Sequence, residues 1–262
     1  STSGSDVAAY ANGDINLNGS RIAAFDGGNV TVESFNGDIN AGVGGLSGVL
    51  LTAYYVDPVT HALYQTSPTV FGSGILAQTF GSRSAQYPAP ATVLGNVLVE
   101  TPNGNVNANK AGVTQLAFNH VDYPNATVEV LAGYELRDAG GNPLSAGQLA
   151  DGTPVLVSAD RNIDAKDSGV IAQNAILKAS GNVDGAIFAK GNIDVTAVNN
   201  ANVTALAQGT VNASAGGNLS GTIVGLGGIS ASGASVDASL LSNGSISGGT
   251  SGISVSSSIP VS

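Results

Sequence analysis

Two aspartates with identical surroundings are the residues of this sequence best spaced for acid–base chemistry. Asp14 and Asp38 each occupy the second position of a GDIN unit, at residues 13–16 and 37–40. Two carboxylates at a suitable separation can cleave a glycosidic bond, or bind Ca²⁺ through their oxygens. The equivalent unit at residues 104–107 is GNVN, so asparagine also serves at this position. We interpret both aspartates as corner residues and keep a polysaccharide-active enzyme, a glycoside hydrolase or lyase, as the alternative.

The two histidines offer a second possible chemistry, metal binding. His61 and His120 each have an aspartate nearby in the sequence, Asp57 and Asp122. No spaced His/Glu motif accompanies them, and isolated histidines in loops are usually not ligands. The chain has no Cys, which excludes thiol catalysis and disulfide bonds. We therefore assign no catalytic residue, no metal ligand and no cofactor.

The aromatic residues are the better candidates for a binding role. Nine of the 13 aromatics fall in residues 43–94 and 109–151. Exposed tyrosines on loops carried by a rigid scaffold can stack on sugar rings or contact another protein, whereas buried ones would pack these segments onto the scaffold. A carbohydrate-binding module is a further alternative on this basis. The candidate contact surface consists of Tyr54, Tyr55, Tyr64, Tyr87, Tyr123 and Tyr134.

Composition limits the classes of protein to which the chain can belong. Of its 262 residues, 37 are Gly and only 10% are charged, while 42% are hydrophobic and mostly small. These values favour thin β layers and tight turns over helical packing. The net charge is −10 with eight scattered basic residues, so nucleic acid is an unsuitable partner. The apolar runs are too short for a membrane helix, and we expect no membrane insertion.

One phrase of the sequence occurs twice and reveals the architecture. GNVTVESFNGDINA at residues 28–41 returns as GNVLVETPNGNVNA at residues 95–108, with nine of 14 positions identical. Within it, Val30 and Val32 alternate with Thr31 and Glu33, the pattern of a strand with two different faces. Read alone, the phrase is compatible with a hairpin around its Asn-Gly pair. Its recurrence instead predicts one coil of a solenoid, to which the chain returns after each excursion.

The C-terminal part of the chain shows the period directly. From residue 191 onward it divides into units of 18, 18, 17 and 15 residues, each with two short alternating stretches and a Gly/Asn/Ser turn. Such a period predicts an all-β solenoid with coils of about 18–20 residues, stacked as parallel strands with Asn ladders at the corners. We predict a single domain over residues 1–262, with excursions at 43–94 and 109–151 and regular coils at 153–262.

Two stretches of the sequence resemble the repeats of filamentous haemagglutinin-like exoproteins and related autotransporter passengers. These stretches are VETPNGNVNANKAGVTQLAFN and ASGNVDGAIFAKGNIDVTA. The resemblance covers about residues 28–42, 95–119 and 153–262. It implies a right-handed parallel β-helix, located outside the cell or on a bacterial cell surface, that serves as an adhesin or fibre. No functional residue follows from it.

These observations predict an extracellular structural protein without enzymatic activity. We expect a segment or subunit of a bacterial surface fibre or filament, with an adhesive or scaffold role. Its partners would be the rest of a longer fibre chain or further copies of itself, joined head to tail through uncapped solenoid ends. Glycans, or the surface of a host or neighbouring cell, are the other partners that we expect.

Overall fold

The protein is a parallel β-solenoid, as the sequence predicts. The computed structural model describes residues 4–44, 48–50, 53–56, 60, 63–66, 69–79, 93–117, 122–249 and 254–255. Its strands are numbered β1 to β27 along the chain, and most of them belong to two long sheets of parallel strands.

The first sheet contains one strand from each of nine successive coils. Its order along the solenoid follows the order in the chain, so each coil lies directly on the one before it. The strands are β1 (Val7–Ala11), β4 (Val30–Ser34), β11 (Val97–Thr101), β14 (Thr127–Ala132), β18 (Asn174–Ala179), β20 (Ile193–Ala197), β22 (Thr210–Ala215), β24 (Gly228–Ser232) and β26 (Ile246–Gly249).

The second sheet forms the rest of each coil. In the early coils this part consists of two separate strands, and from β17 onward one longer strand replaces both. The strands of the main path are β2 (Ile15–Asn16), β5 (Ile39–Asn40), β12 (Val106–Asn107), β17 (Ile163–Ala172), β19 (Val183–Ala189), β21 (Ala201–Ala207), β23 (Asn218–Gly225), β25 (Ser235–Leu241) and β27 (Ser254–Val255). The additional strands of the early coils are β3 (Arg21–Phe25), β10 (Gly74–Thr79) and β13 (Val113–Ala117).

The core is built from columns of small aliphatic side chains inside the coils. Because equivalent residues pair in register, one inward column of the first sheet reads Val7, Val30, Val97, Val128, Ala175, Ile193, Val211, Ile229 and Ile246. The outward residues between them are free to be polar, which explains the alternation in the sequence. This stacking buries a continuous core, which contains no aromatic side chain among the described residues.

The predicted coil lengths are confirmed in the C-terminal part. Ala175 pairs with Ile193, Ile193 with Val211 and Val211 with Ile229, each 18 residues further along the chain. The next coil, which ends at Ile246, is one residue shorter. The two copies of the repeated phrase lie on adjacent coils, with Val30 beside Val97.

The predicted limits of the excursions are wrong in three places. Strand β10 lies within residues 43–94 but belongs to a coil, because its six buried residues align with β3 and β13. Strands β13 and β14, within residues 109–151, are also coil strands. These strands lack the repeated Gly-Asn phrase, so the sequence pattern did not identify them. That the whole chain is one domain stays a prediction.

The two excursions that the structure describes are antiparallel. The first contains β6 (Gly48–Leu50) paired with β9 (Thr69–Phe71), and β7 (Ala53–Val56) paired with β8 (Leu63–Thr66). The second lies between β14 and β17 and contains β15 (Tyr134–Arg137), a 3₁₀ helix (Ala146–Asp151) and β16 (Thr153–Leu156). Because β16 pairs antiparallel with β15, regular coils begin at Ile163 and not at residue 153 as predicted.

Candidate functional site

Asp14 and Asp38 are members of a hydrogen-bonded ladder at one corner of the solenoid. The Asp38 backbone N donates to Asp14 Oδ1 at 2.9 Å, and Asn105 donates to Asp38 Oδ1 from both its backbone N and Nδ2. The same bonding pattern runs on through Asn162, Asn182, Asn200 and Asn218. Asp14 and Asp38 therefore accept the same hydrogen bonds from the next coil as the ladder asparagines do. This agrees with our interpretation of both aspartates as corner residues.

The predicted tyrosine contact surface divides into three groups. Tyr123 and Tyr134 are buried, with 6% and 7% of their surface exposed, so their inclusion in an exposed contact surface is wrong. Tyr54 pairs with Gln65, and Tyr55 with Tyr64, in the register of the β7–β8 pair. Tyr87 lies outside the described residues, as do His61 and His120.

A site that the sequence analysis missed lies on the outer face of the first sheet, beneath the second excursion. The excursion covers this face and forms a second small hydrophobic core with it, consisting of Leu98, Leu131, Tyr134, Leu136, Leu144 and Ala146. The Ala146 backbone N donates to Thr31 Oγ1 at 2.9 Å, and Asn96 Nδ2 donates to the Ala146 carbonyl at 3.1 Å. These bonds attach the excursion to neighbouring coils.

All four glutamates of the chain lie at this interface, as Glu33, Glu100, Glu129 and Glu135. Glu33 and Glu100 are the outward glutamates of the repeated phrase, side by side on β4 and β11. Glu135 belongs to β15 of the excursion, and one carboxylate oxygen from each of the three lies within 4.8 Å of the others. We call Glu33, Glu100 and Glu135 the glutamate cluster.

Burial sets the electrostatics of the cluster. Glu100 is completely buried and Glu135 is 3% exposed, while Glu33 is half-buried. Loss of solvation and the neighbouring carboxylates raise the pKa of Glu100 to about 8, although the bond from the Leu136 backbone N opposes this rise. Loss of solvation, followed by the charge of Glu135, also raises the pKa of Glu33.

Two positive side chains lie close to these glutamates. Arg137 forms an ion pair and a hydrogen bond with Glu135 Oε2. Lys178 lies 5.1 Å from the centre of the Tyr134 ring, and its charge partly offsets the burial that raises the pKa of Glu129 to about 7. Glu100 Oε2 accepts the 2.8 Å bond from Leu136, whereas Glu100 Oε1 is buried with no hydrogen-bond partner among the described residues.

The sequence does contain a signal for this site. Glutamate recurs at the same position in both copies of the phrase, and the two remaining glutamates follow within one short segment, VEVLAGYEL. Leu98 and Leu131 are also apolar at outward positions, which shows that something covers this face. A coil strand that is hydrophobic on both faces predicts a second layer.

A second feature that sequence reasoning missed is an outward apolar column on the other sheet. Ile171, Phe188, Leu206, Val224 and Leu241 stack at equivalent positions on five coils. Phe188 is 37% exposed, and residues of this column line a shallow groove with Gln115 and Lys190. Adjacent apolar pairs, such as Ile187-Phe188, break the alternation and could have indicated it.

Comparison with known proteins agrees with the architecture. Residues 27–123 match the model of a family described as filamentous haemagglutinin family outer membrane protein. The matched span contains both copies of the repeated phrase, and with them Glu33 and Glu100. No curated protein and no solved structure matches the chain. Among the described residues, no helix is long and apolar enough to span a membrane.

The match confirms the predicted resemblance and bears on location and role. The description of the matched family is that of outer membrane proteins. The match therefore supports an extracellular or cell-surface location and a surface adhesin-like role. Over residues 27–123, this chain is similar to the filamentous haemagglutinin family outer membrane proteins.

Proposed function

We propose that this chain is a structural segment or subunit of a fibre on a bacterial cell surface, with an adhesive or scaffold role and no enzymatic activity. The observation that carries the proposal is the stack of nine coils, in which equivalent residues stay in register from β1 to β26. With strands spaced about 4.8 Å apart, such a stack is a rod that lengthens with each added coil. Together with the family match, this geometry suits a fibre.

The ends of the rod suit further extension. Among the described residues, β1 and β26 each have one neighbour in the first sheet. Strand edges with unpaired backbone groups readily pair with other strands. We propose that these edges continue the stack, either with further coils of a longer chain or head to tail with another copy. Sedimentation velocity over a hundredfold range of concentration tests the second form, and a monomer at every concentration would contradict it.

The first excursion is our proposed adhesive surface. It consists of two antiparallel strand pairs that are separate from the two long sheets, and Tyr54, Tyr55 and Tyr64 lie on its β7–β8 pair. Tyrosine combines a large apolar ring with a polar hydroxyl, which suits contact with sugars or with a protein on another cell. Glycans, or a host or neighbouring cell, are therefore the partners that we propose.

An attachment experiment tests the adhesive role. Beads coated with the full chain are compared with beads that carry a variant with Tyr54, Tyr55 and Tyr64 changed to Ser. The matched control is Tyr10→Ser, because Tyr10 is 63% exposed on β1, outside the excursion. We expect attachment to cells or immobilised glycans to fall at least fivefold in the triple variant only. Equal attachment by all three proteins, or none by the unchanged chain, would refute the adhesive surface.

A further inference from the structure

The glutamate cluster joins two parts of the molecule that are distant in the chain. Glu33 and Glu100 belong to adjacent coils, whereas Glu135 belongs to the excursion that covers them. Three carboxylates in a buried site repel one another, and that repulsion opposes docking of the excursion. A group that binds all three at once would reverse the effect and hold the excursion in place.

The charges around the cluster indicate which group would suit it. When all three carboxylates are ionised they carry −3, and the ion pair of Arg137 with Glu135 reduces this to −2. A divalent cation balances the remainder. Such a cation also provides a partner for Glu100 Oε1, the buried oxygen that has no hydrogen-bond partner among the described residues. This unpaired atom is an observation independent of the acidic composition, because a buried acceptor normally has a partner.

The type and number of the ligand atoms indicate the kind of cation. All three ligands are carboxylate oxygens, which favours a hard ion over zinc or copper. Mg²⁺ usually keeps several waters and binds through only one or two carboxylates, so a set of three carboxylates favours Ca²⁺. The three oxygens lie within 4.8 Å of one another, which brings them close enough for one ion to lie between them.

We propose that Glu33, Glu100 and Glu135 bind one Ca²⁺, which fastens the second excursion to the outer face of the first sheet. Three protein ligands and one nearby arginine make a site of modest affinity, in the range of about 10⁻⁴–10⁻³ M that is typical of extracellular modules. This range matches the surroundings of a surface protein, and in that respect the choice of Ca²⁺ depends on the proposed function. The ion makes the stability of the excursion depend on external calcium.

The experiment measures metal binding and excursion stability separately. Tb³⁺ replaces Ca²⁺ in oxygen-rich sites, and its luminescence after tyrosine excitation reports binding near Tyr134, the neighbour of Glu135 in the chain. The full chain is titrated with Tb³⁺ and then with competing Ca²⁺ or Mg²⁺. Limited proteolysis with mass spectrometry follows cleavage within residues 133–162, in 5 mM Ca²⁺ or in EDTA.

Matched variants identify the site. Glu100→Gln and Glu33→Gln each remove one ligand charge with little change of shape, and Glu33 is half-buried, so its variant should fold even if the other does not. Glu129→Gln is the control, because Glu129 is also buried at this interface but is not one of the three ligands. We expect one displaceable Tb³⁺ per chain, at least tenfold weaker binding in both ligand variants, and less than threefold change in the control.

Three results would overturn the proposal. Tb³⁺ binding that is equal in Glu33→Gln and the unchanged chain would place the ion on surface aspartates. Equal cleavage of the excursion in Ca²⁺ and EDTA would show that calcium does not fasten it. Absence of binding by the unchanged chain would mean that protons alone neutralise the cluster. None of these results depends on whether the protein forms fibres or attaches to cells, so the proposed function is tested independently.

Discussion

Val30 and Val97 are direct neighbours in the first sheet, although 67 residues separate them in the chain. The pairing continues to Glu33 beside Glu100, so the repeated phrase is a coil laid on its own copy. Its glycines are explained by the same stacking. A Cβ on Gly104 would lie 2.0 Å from the Gly37 carbonyl oxygen of the coil before it.

The first prediction concerns this close approach. We expect Gly104→Ala to lower the free energy of unfolding by about 2 kcal/mol or more, because backbone of the adjacent coil must move to admit the methyl group. The matched control is Gly13→Ala, at the same position of the phrase in the first coil, where an added Cβ meets nothing within 4 Å. Urea unfolding followed by circular dichroism compares them, and equal stability of the two variants would contradict the stacking.

The second prediction separates the ladder from catalysis. Asp38 Oδ1 accepts two hydrogen bonds from Asn105, and an asparagine at residue 38 still provides an acceptor there. We expect Asp38→Asn to change stability by less than about 0.5 kcal/mol, and Asp38→Ala to cost roughly 1–2 kcal/mol. We also expect no cleavage of acidic polysaccharides by any of these proteins. Turnover that is lost in Asp38→Asn would establish the enzyme alternative.

The third prediction tests the inward columns. Leu219 is fully buried inside the solenoid, whereas Leu226 is 39% exposed on the outside. Leu219→Ala leaves a cavity between stacked coils, and we expect it to cost about 2–5 kcal/mol. Leu226→Ala should cost less than about 1 kcal/mol. Thermal unfolding of both variants provides the measurement, and a larger loss for the exposed leucine would be inconsistent with this core.

The fourth prediction concerns pH and Glu129. Burial raises its pKa from the ordinary value of 4.5 to about 7, and the charge of Lys178 opposes this rise. Below pH 4.5 the carboxyl group is protonated in both states and causes no loss of stability. Between pH 4.5 and about 7 the folded protein keeps a proton that the unfolded chain releases, so the stability falls as the pH rises. Above pH 7 this loss is complete.

Glu129→Gln should therefore reduce the fall in the free energy of unfolding between pH 4.5 and about 7. We expect the variant to be more stable than the unchanged protein at pH 8, by on the order of 2 kcal/mol, and about equally stable at pH 4. The charge of Lys178 opposes the effect of burial on Glu129, so Lys178→Gln should extend the loss of stability to higher pH and make the total loss larger. A difference between Glu129→Gln and the unchanged protein that is the same at both pH values would refute this account.

The sequence predicted the solenoid well because its signal is repetition. Each coil must place a small aliphatic residue over the equivalent residue of the coil before it. The inward columns therefore produce a repeat of 18 residues in the sequence. The corner ladder is visible for the same reason, since Asn or Asp recurs at one position of each phrase.

The second excursion was harder to predict because its position depends on contacts made only in the folded chain. Nothing in the period shows that β15 and the 3₁₀ helix fold back over β4 and β11. The glutamate cluster depends on that arrangement, as does the burial of Tyr134. The coil strand β10 was missed for a different reason, because inward Ile75 and Ala77 pair in register without the Gly-Asn phrase.

The most direct test of the proposed fibre is electron microscopy of the purified full chain without added ligand. Nine coils at about 4.8 Å each make a single copy roughly 40 Å long. Head-to-tail assembly predicts filaments many times longer than this, with an axial repeat of about 4.8 Å in their diffraction. Compact particles with no dimension that corresponds to a nine-coil stack would contradict the account. Short rods of about 40 Å would agree with the solenoid fold but not with head-to-tail assembly. The proposal would then be restricted to a segment of a longer fibre chain.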